Sequence, residues 1–152
     1  MIYRTTFNLV KQTLEEIAAA IKQNSKDIKT AADHGDLKEN AEYHAAKDEQ
    51  AHLHNRRHRF EKYLDNEIVE PSAIDPSRVS FGTEVTYSDG ERTLSVAVVG
   101  AAEYELEVYE NICTTSSPFG QRILGMKKGD TLVLNTPGGD KTLTILDIKP
   151  LS

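Results

Sequence analysis

The chain has little of what braces small folds by special chemistry. It carries one cysteine, Cys113, in 152 residues, and no tryptophan. A lone thiol excludes an internal disulfide and fits a reducing compartment, so a cytoplasmic protein is expected. The opening residues, MIYRTTFNLVKQ, lack the apolar run of a secretory signal, and no stretch approaches a membrane span. Aromatic residues make up only 7%. Positive charge is also in short supply. The net charge of −6 argues against a general nucleic-acid binder, whose domains tend to be strongly basic.

What the sequence does have is a heptad pattern. Phe7, Val10, Leu14, Ile17, Ile21, Asn24, Ile28 and Ala31 follow one another at alternating steps of three and four. That is the narrow seam of a coiled coil, and Asn24 is its only polar member. A second seam runs through Tyr43, Ala46, Gln50, Leu53, Arg57, Phe60 and Leu64. It is weaker, because Gln50 and Arg57 hold seam positions. Two seams joined by a short connection pack antiparallel. Pairing Phe7 with Leu64, Val10 with Phe60, Ile17 with Leu53 and Ile28 with Tyr43 gives residue numbers that always total 70 or 71. This register puts the fold-back near Gly35 and Asp36, where a glycine can end the first helix in a conformation that side chains resist. It also sets Asn24 opposite the small Ala46. The arm so formed is roughly 40 Å long at a rise of 1.5 Å per residue.

The turn holds HGDLKENAEYHAAK, residues 34–47. Asp33, Asp36, Glu39 and Glu42 crowd there, at the end of an arm with no core to serve. Two readings stand side by side. Asp36-Leu37-Lys38-Glu39 has the spacing of a capping box, with Asp36 as N-cap and Glu39 at N3. Alternatively, Asp36 and Glu39 project outward as oxygen donors to a hard cation. They are too few for a private magnesium site, but enough to complete a site held by another molecule.

Two further patterns mark the second helix. All five histidines fall between His34 and His58, and His44, Asp48 and His52 are spaced four apart. Such spacing can bind zinc, although no fourth ligand is evident and a solvated helix face is the plainer reading. Lys47, Arg56, Arg57, Arg59 and Lys62 form a basic group that suits either a solvated face or a contact with RNA or a protein.

Residues 65–78 contain Pro71 and Pro76, lose the helical period and read as a linker, with an extended piece at Ile68 and Val69. Strands follow. Residues 79–87 and 93–100 flank a Ser88-Asp89-Gly90 turn, residues 105–109 alternate as a further strand, and residues 118–124 suit a short helix. Residues 130–135 and 141–148 form a second hairpin about Pro137-Gly138-Gly139. The expected class is α+β: a helical hairpin followed by a mainly antiparallel sheet with one short helix.

HGDLKENAEYHAA closely resembles the tip signature of the bacterial transcript cleavage factors GreA and GreB. SPFGQRILG (117–125) and TPGG (136–139) resemble that family's C-terminal signatures, in the same order. The likeness covers most of the chain and is strongest to the GreA type. It implies a coiled-coil hairpin (1–70), a linker (71–78) and an FKBP-like domain (79–152). It implies RNA polymerase as partner. The C-terminal domain would dock at the rim of the secondary channel, where Ser117, Pro118 and Phe119 offer a docking surface, and the tip would reach the active centre. Asp36 and Glu39 match the acidic pair that shares a magnesium ion with the polymerase and positions the water that cuts backtracked RNA. Asn40, Glu42 and Tyr43 would support the tip, and Lys47 would meet the RNA. The protein would have no cofactor of its own, act as a monomer, and not be an enzyme by itself. Two departures stand out: Ala32 replaces a frequent arginine and Thr5 a frequent glycine, so Thr5 or Thr6 is expected to cap the first helix. Two rivals remain. One is a channel-binding inhibitor without cleavage. The other is an FKBP-like folding helper, which the scarcity of aromatic residues disfavours.

Overall fold

A computed structural model describes residues 1–35 and 40–151. The chain divides into two compact units, residues 7–66 and residues 1–6 with 67–152. The first six residues thus pack with the C-terminal part. A two-residue strand, β1 (Ile2–Tyr3), runs straight into α1 (Arg4–Ala32). Because α1 starts at Arg4, Thr5 and Thr6 lie within its first turn and not at its cap. Thr6 is fully buried, and its hydroxyl has no hydrogen-bond partner among the described residues.

The helical unit consists of α1 and α2 (Ala41–Tyr63). Every seam position of α1 from Phe7 to Ala31 is buried or half-buried, and so is every seam position of α2 from Tyr43 to Leu64. Val10, Ile17 and Phe60 are at most 1% exposed. Asn24 is buried and donates from Nδ2 to the carbonyl of Ala46 (2.9 Å), its expected partner. The weak seam position Arg57 turns its guanidinium to Glu61 (3.7 Å) and the His54 ring (3.2 Å), which leaves its stem on the seam side.

The second unit is built on a five-stranded sheet. After α2 come β2 (Ile68–Val69), which pairs in parallel with β1, and a single 3-10 turn (Pro71–Ala73). Then come β3 (Thr83–Ser88), β4 (Thr93–Val99), the short helix α3 (Ala101–Glu105), β5 (Ile112–Thr114), α4 (Pro118–Ile123), β6 (Thr131–Thr136) and β7 (Gly139–Pro150). The strand order is β5-β4-β3-β7-β6, antiparallel except for β4 with β5. The strand expected at 105–109 does not form. Its alternating residues curl out of α3 instead: Leu106 N–H bonds Ala102 O, Val108 N–H bonds Glu103 O, and Glu107 takes a positive φ of 50°. The ladder resumes only at Ile112. Strand β3 also starts four residues later than the apolar pattern at Val79 suggests.

The run Val96-Ala97-Val98-Val99 is apolar throughout because β4 is covered on both faces. Val98 packs with Val85, Cys113, Ile123 and Ile145, under α4. Ala97 and Val99 pack on the other face with Tyr3, Phe81 and Leu151, backed by Val69 and Ile74. The N-terminal residues therefore supply part of the cover for the second face. Burying a valine or isoleucine side chain contributes roughly 1.5–3 kcal/mol, and this face relies on a chain segment about a hundred residues away in sequence. Tyr3 Oη donates to Leu151 O (3.1 Å), and Arg4 Nε donates to Glu70 Oε1 (2.8 Å).

Glu103 is the unexpected member of this face. It is fully buried, Oε1 accepts the N–H of Tyr3 (3.4 Å), and Oε2 has no partner. Burial pushes its carboxyl up, partly offset by the N–H groups of Tyr3, Glu103 and Gly100 and by the charge of the amino terminus. A carboxyl whose folded pKa is raised binds its proton more tightly when folded. It therefore adds stability at acid pH, and that contribution is lost as pH rises from the ordinary glutamate range, about 4.3, through the folded value. Glu103→Gln, which cannot ionise, should thus gain on the wild type as pH rises from roughly 4 to roughly 8. Urea unfolding across that range checks this, and a stability difference that is flat with pH contradicts it.

Candidate functional site

The turn of the helical hairpin is built from its two helix ends. Helix α1 closes with Asp33 N–H on Lys29 O and His34 N–H on Ala31 O (3.1 Å each). Gly35 follows at φ +142°, a conformation open to glycine and strained for other residues. Helix α2 begins at Ala41, with Asn40 as its N-cap in an extended conformation. The expected capping box, Asp36 to Glu39, lies outside the described residues; the cap of the described helix is an amide. Asn40 Oδ1 accepts the N–H of Tyr43 (3.0 Å). Its Nδ2 donates across the turn to Ala31 O (2.6 Å). One side chain thus satisfies an orphan donor of α2 and binds a terminal carbonyl of α1. The cross-turn pair 31 and 40 obeys the same register as 24 and 46.

Asp36 and Glu39, the candidate acidic pair, lie outside the described residues, between these two fixed ends. Glu42 is exposed in the first turn of α2. Tyr43 is half-buried on the seam, with its ring edge-on to His44 (centroids 5.7 Å apart). Lys47 is exposed, and its Nζ reaches Gln50 Oε1 (3.0 Å). Among the described residues no three histidine, cysteine or carboxylate side chains converge on a point that could hold a metal ion. The His44, Asp48 and His52 spacing therefore does not make a three-ligand site.

The second candidate patch begins α4. Ser117 is its N-cap: Oγ accepts the N–H of Gly120 (3.0 Å) and donates to Thr114 O (2.8 Å). Gly120 permits this close approach, since a Cβ there would stand 2.0 Å from Thr114 O. Ser117 is therefore spent on shaping the turn. Pro118 and Phe119 instead face a concavity of about 470 Å³, which Tyr87, Leu94, Leu134 and Leu143 also line. The rings of Tyr87 and Phe119 lie 5.7 Å apart. Asp89 and Lys141 stand among the lining residues. The N–H groups of Arg92 and Glu91 hold the Asp89 carboxyl below its usual range, so it is charged at neutral pH, whereas burial keeps the Tyr87 phenol protonated. Of the lining residues, the sequence had singled out Pro118 and Phe119 but not the strand residues around them. Only the half-buried alternation of β6 hinted at those. A larger concavity, about 740 Å³, lies beside β2 and the 3-10 turn and holds none of the candidate residues.

Comparison with known proteins finds two family models, one on each part of the chain. Residues 1–69 match the family model described as "Transcription elongation factor, N-terminal", and residues 74–150 match "Transcription elongation factor, GreA/GreB, C-term". The chain is 35% identical to the transcription elongation factor GreA of Halorhodospira halophila, over 80% of this chain and 78% of that protein. It is 32% identical to GreA of Syntrophus aciditrophicus, over 97% and 92% respectively. Among solved structures it is similar to GreA factor homolog 1 of Thermus thermophilus, at 25% identity over 97% of each chain, with a TM-score of 0.42. With a seamed helical hairpin, a sheet domain and both halves matched, the chain belongs to the GreA/GreB family of transcription elongation factors.

Proposed function

We propose that this chain works on RNA polymerase as a transcript cleavage factor. The turn between α1 and α2 enters the secondary channel and presents Asp36 and Glu39 to the active centre, where backtracked RNA is cut. The observation that carries this reading is the double hydrogen bond of Asn40, which fixes both helix ends around the acidic pair. A turn pinned at both ends delivers its carboxylates with less orientation entropy left to lose. The reading also draws on membership of an elongation-factor family.

The protein is then an accessory to the polymerase and not an enzyme alone. Two carboxylates are hard oxygen donors that suit magnesium but are too few to hold it, since magnesium keeps waters and shares ligands with phosphates. The donor set fits an ion shared with the polymerase. Once bound, that ion supplies activation of the attacking water and stabilisation of the leaving oxygen. Asp36 and Glu39 orient that water, Asn40 and Tyr43 hold the base of the turn, and exposed Glu42 and Lys47 flank it, with Lys47 facing the RNA 3′ end. The second unit docks on the channel rim through the Pro118 and Phe119 concavity, whose apolar lining and opposite charges at Asp89 and Lys141 suit a protein surface.

The test is cleavage of a stalled, backtracked transcript by a bacterial polymerase at fixed magnesium. Asp36→Asn and Glu39→Gln should each lower stimulated cleavage by about a hundredfold or more while retaining polymerase binding. Full activity in either variant rejects the assigned roles. Slowed nucleotide addition without cleavage by the wild type would favour the inhibitor reading. Asn40→Ala should cost about 1 kcal/mol of stability through the lost cap and weaken cleavage. Asn40→Asp keeps the Tyr43 acceptor but sets a carboxylate oxygen against the Ala31 carbonyl, so it should keep the cap and still lose the cross-turn bond, weakening cleavage as the alanine variant does; thermal melts and the cleavage assay would report both. Phe119→Ala should weaken polymerase binding, measured by fluorescence anisotropy, and leave the cleavage rate at saturation unchanged.

A further inference from the structure

Strand β6 ends the five-stranded sheet on one side. Along an antiparallel ladder, pairs that exchange hydrogen bonds alternate with pairs that do not. The β6–β7 ladder closes at Thr136 and Gly139 across a two-residue turn, and such a closing pair is hydrogen-bonded. Counting back by twos, Leu134 and Leu132 bond β7, while Asn135, Val133 and Thr131 turn their N–H and C=O groups outward. This edge lacks the usual protection, since TLVLNT has no charge and no proline. Val133, its middle outward residue, is 49% exposed. One device does cover the edge: the Arg122 guanidinium, reaching from the last turn of α4, donates to the Val133 carbonyl at 2.8 Å.

The position of that bond is informative. Two copies of β6 paired antiparallel about a two-fold axis at Val133 would exchange both N–H···O bonds of Val133. Leu132 would meet Leu134, and Thr131 would meet Asn135, so no like charges oppose within the strand. The edge is thus self-complementary in register, with no charged side chain inside it to oppose the pairing. Its central acceptor is the one that Arg122 occupies.

We infer that Arg122 guards a latent homodimer edge: by holding the Val133 carbonyl it keeps β6 from adding to β6 of a second copy. The test is sedimentation velocity of the full chain over a concentration series. The wild type should stay monomeric, and Arg122→Ala should dimerise, with association about tenfold tighter for each bond released. Arg122→Gln, which keeps part of the stem, should do the same and covers the case in which the alanine variant folds poorly. Adding Val133→Pro removes the outward N–H at a position where an edge tolerates proline, and should return the protein to monomer. Either of two results overturns the inference: folded Arg122 variants that sediment as the wild type at every concentration, or a dimer that survives Val133→Pro.

Discussion

The register of the α1–α2 seam is the constraint on which the rest of the helical unit depends. Apolar seam residues repeat every heptad and would accept a slip of seven residues nearly as well as the true pairing. The buried amide of Asn24 would not. In the observed register it finds the Ala46 carbonyl. A slip by one heptad would set it against Leu53 or beyond the start of α2, and an unmet buried amide costs about 1–3 kcal/mol. A small residue opposite is also required, because a larger one at position 46 would fill the space that the amide uses. Asn40 repeats the device at the turn, with its reach to Ala31 O. The two polar bonds lie seven residues apart on α1 and six on α2, so they fix the helices where the apolar seam alone leaves slack.

The second unit solves a different problem. Its sheet is apolar on both faces, but α4 covers only one. The other face is closed by what the chain has nearby: β1, β2 and the residues after them. The cost is visible at Glu103, a carboxyl held in a fully buried position with one oxygen unmet. Its partner is the N–H of Tyr3, the residue that also ties to Leu151. The buried acid thus marks where the first and last parts of the unit meet. Its side chain contributes specificity of docking at some expense in stability.

Much of this was legible in the sequence, and the reasons are physical. Heptad spacing is a long signal, repeated over eight seam residues in one helix and seven in the other, and it located both helices, the pairing of Asn24 with Ala46 and the glycine at the turn. Hairpins about Asp89-Gly90 and Pro137-Gly138 were equally plain, because turn chemistry is local. The failures came from short or degenerate signals. A two-residue strand such as β1 has no period to read. Residues 105–109 alternate as a strand would, but five alternating residues also satisfy a curl whose N–H groups bond back into α3. At the turn, Asp36-x-x-Glu39 fits a capping box as well as any sequence can. Those residues lie outside the described ones; what the structure shows is an amide cap at Asn40 with a bond across the turn, and local spacing carries no information about that. The Phe119 concavity was half legible for the same reason: Pro118 and Phe119 are adjacent in sequence, while Tyr87, Leu94 and Leu134 join them only through the sheet order.

The proposed activity explains why the site is so incomplete. A hairpin carrying its own metal cluster would hydrolyse RNA wherever it met it. The net charge of −6 opposes loose association with nucleic acid. On the proposed activity, chemistry waits for a partner that brings both the ion and the substrate. On that proposal the protein's own contribution reduces to geometry: a register-fixed seam and two helix ends tied through Asn40. Stiffness is the useful property in such an arrangement, since orientation lost at the turn would be lost from the transition state. That is why the polar residues of the hairpin are found at its register points, where a purely apolar seam would have been more stable and less exact in its reach.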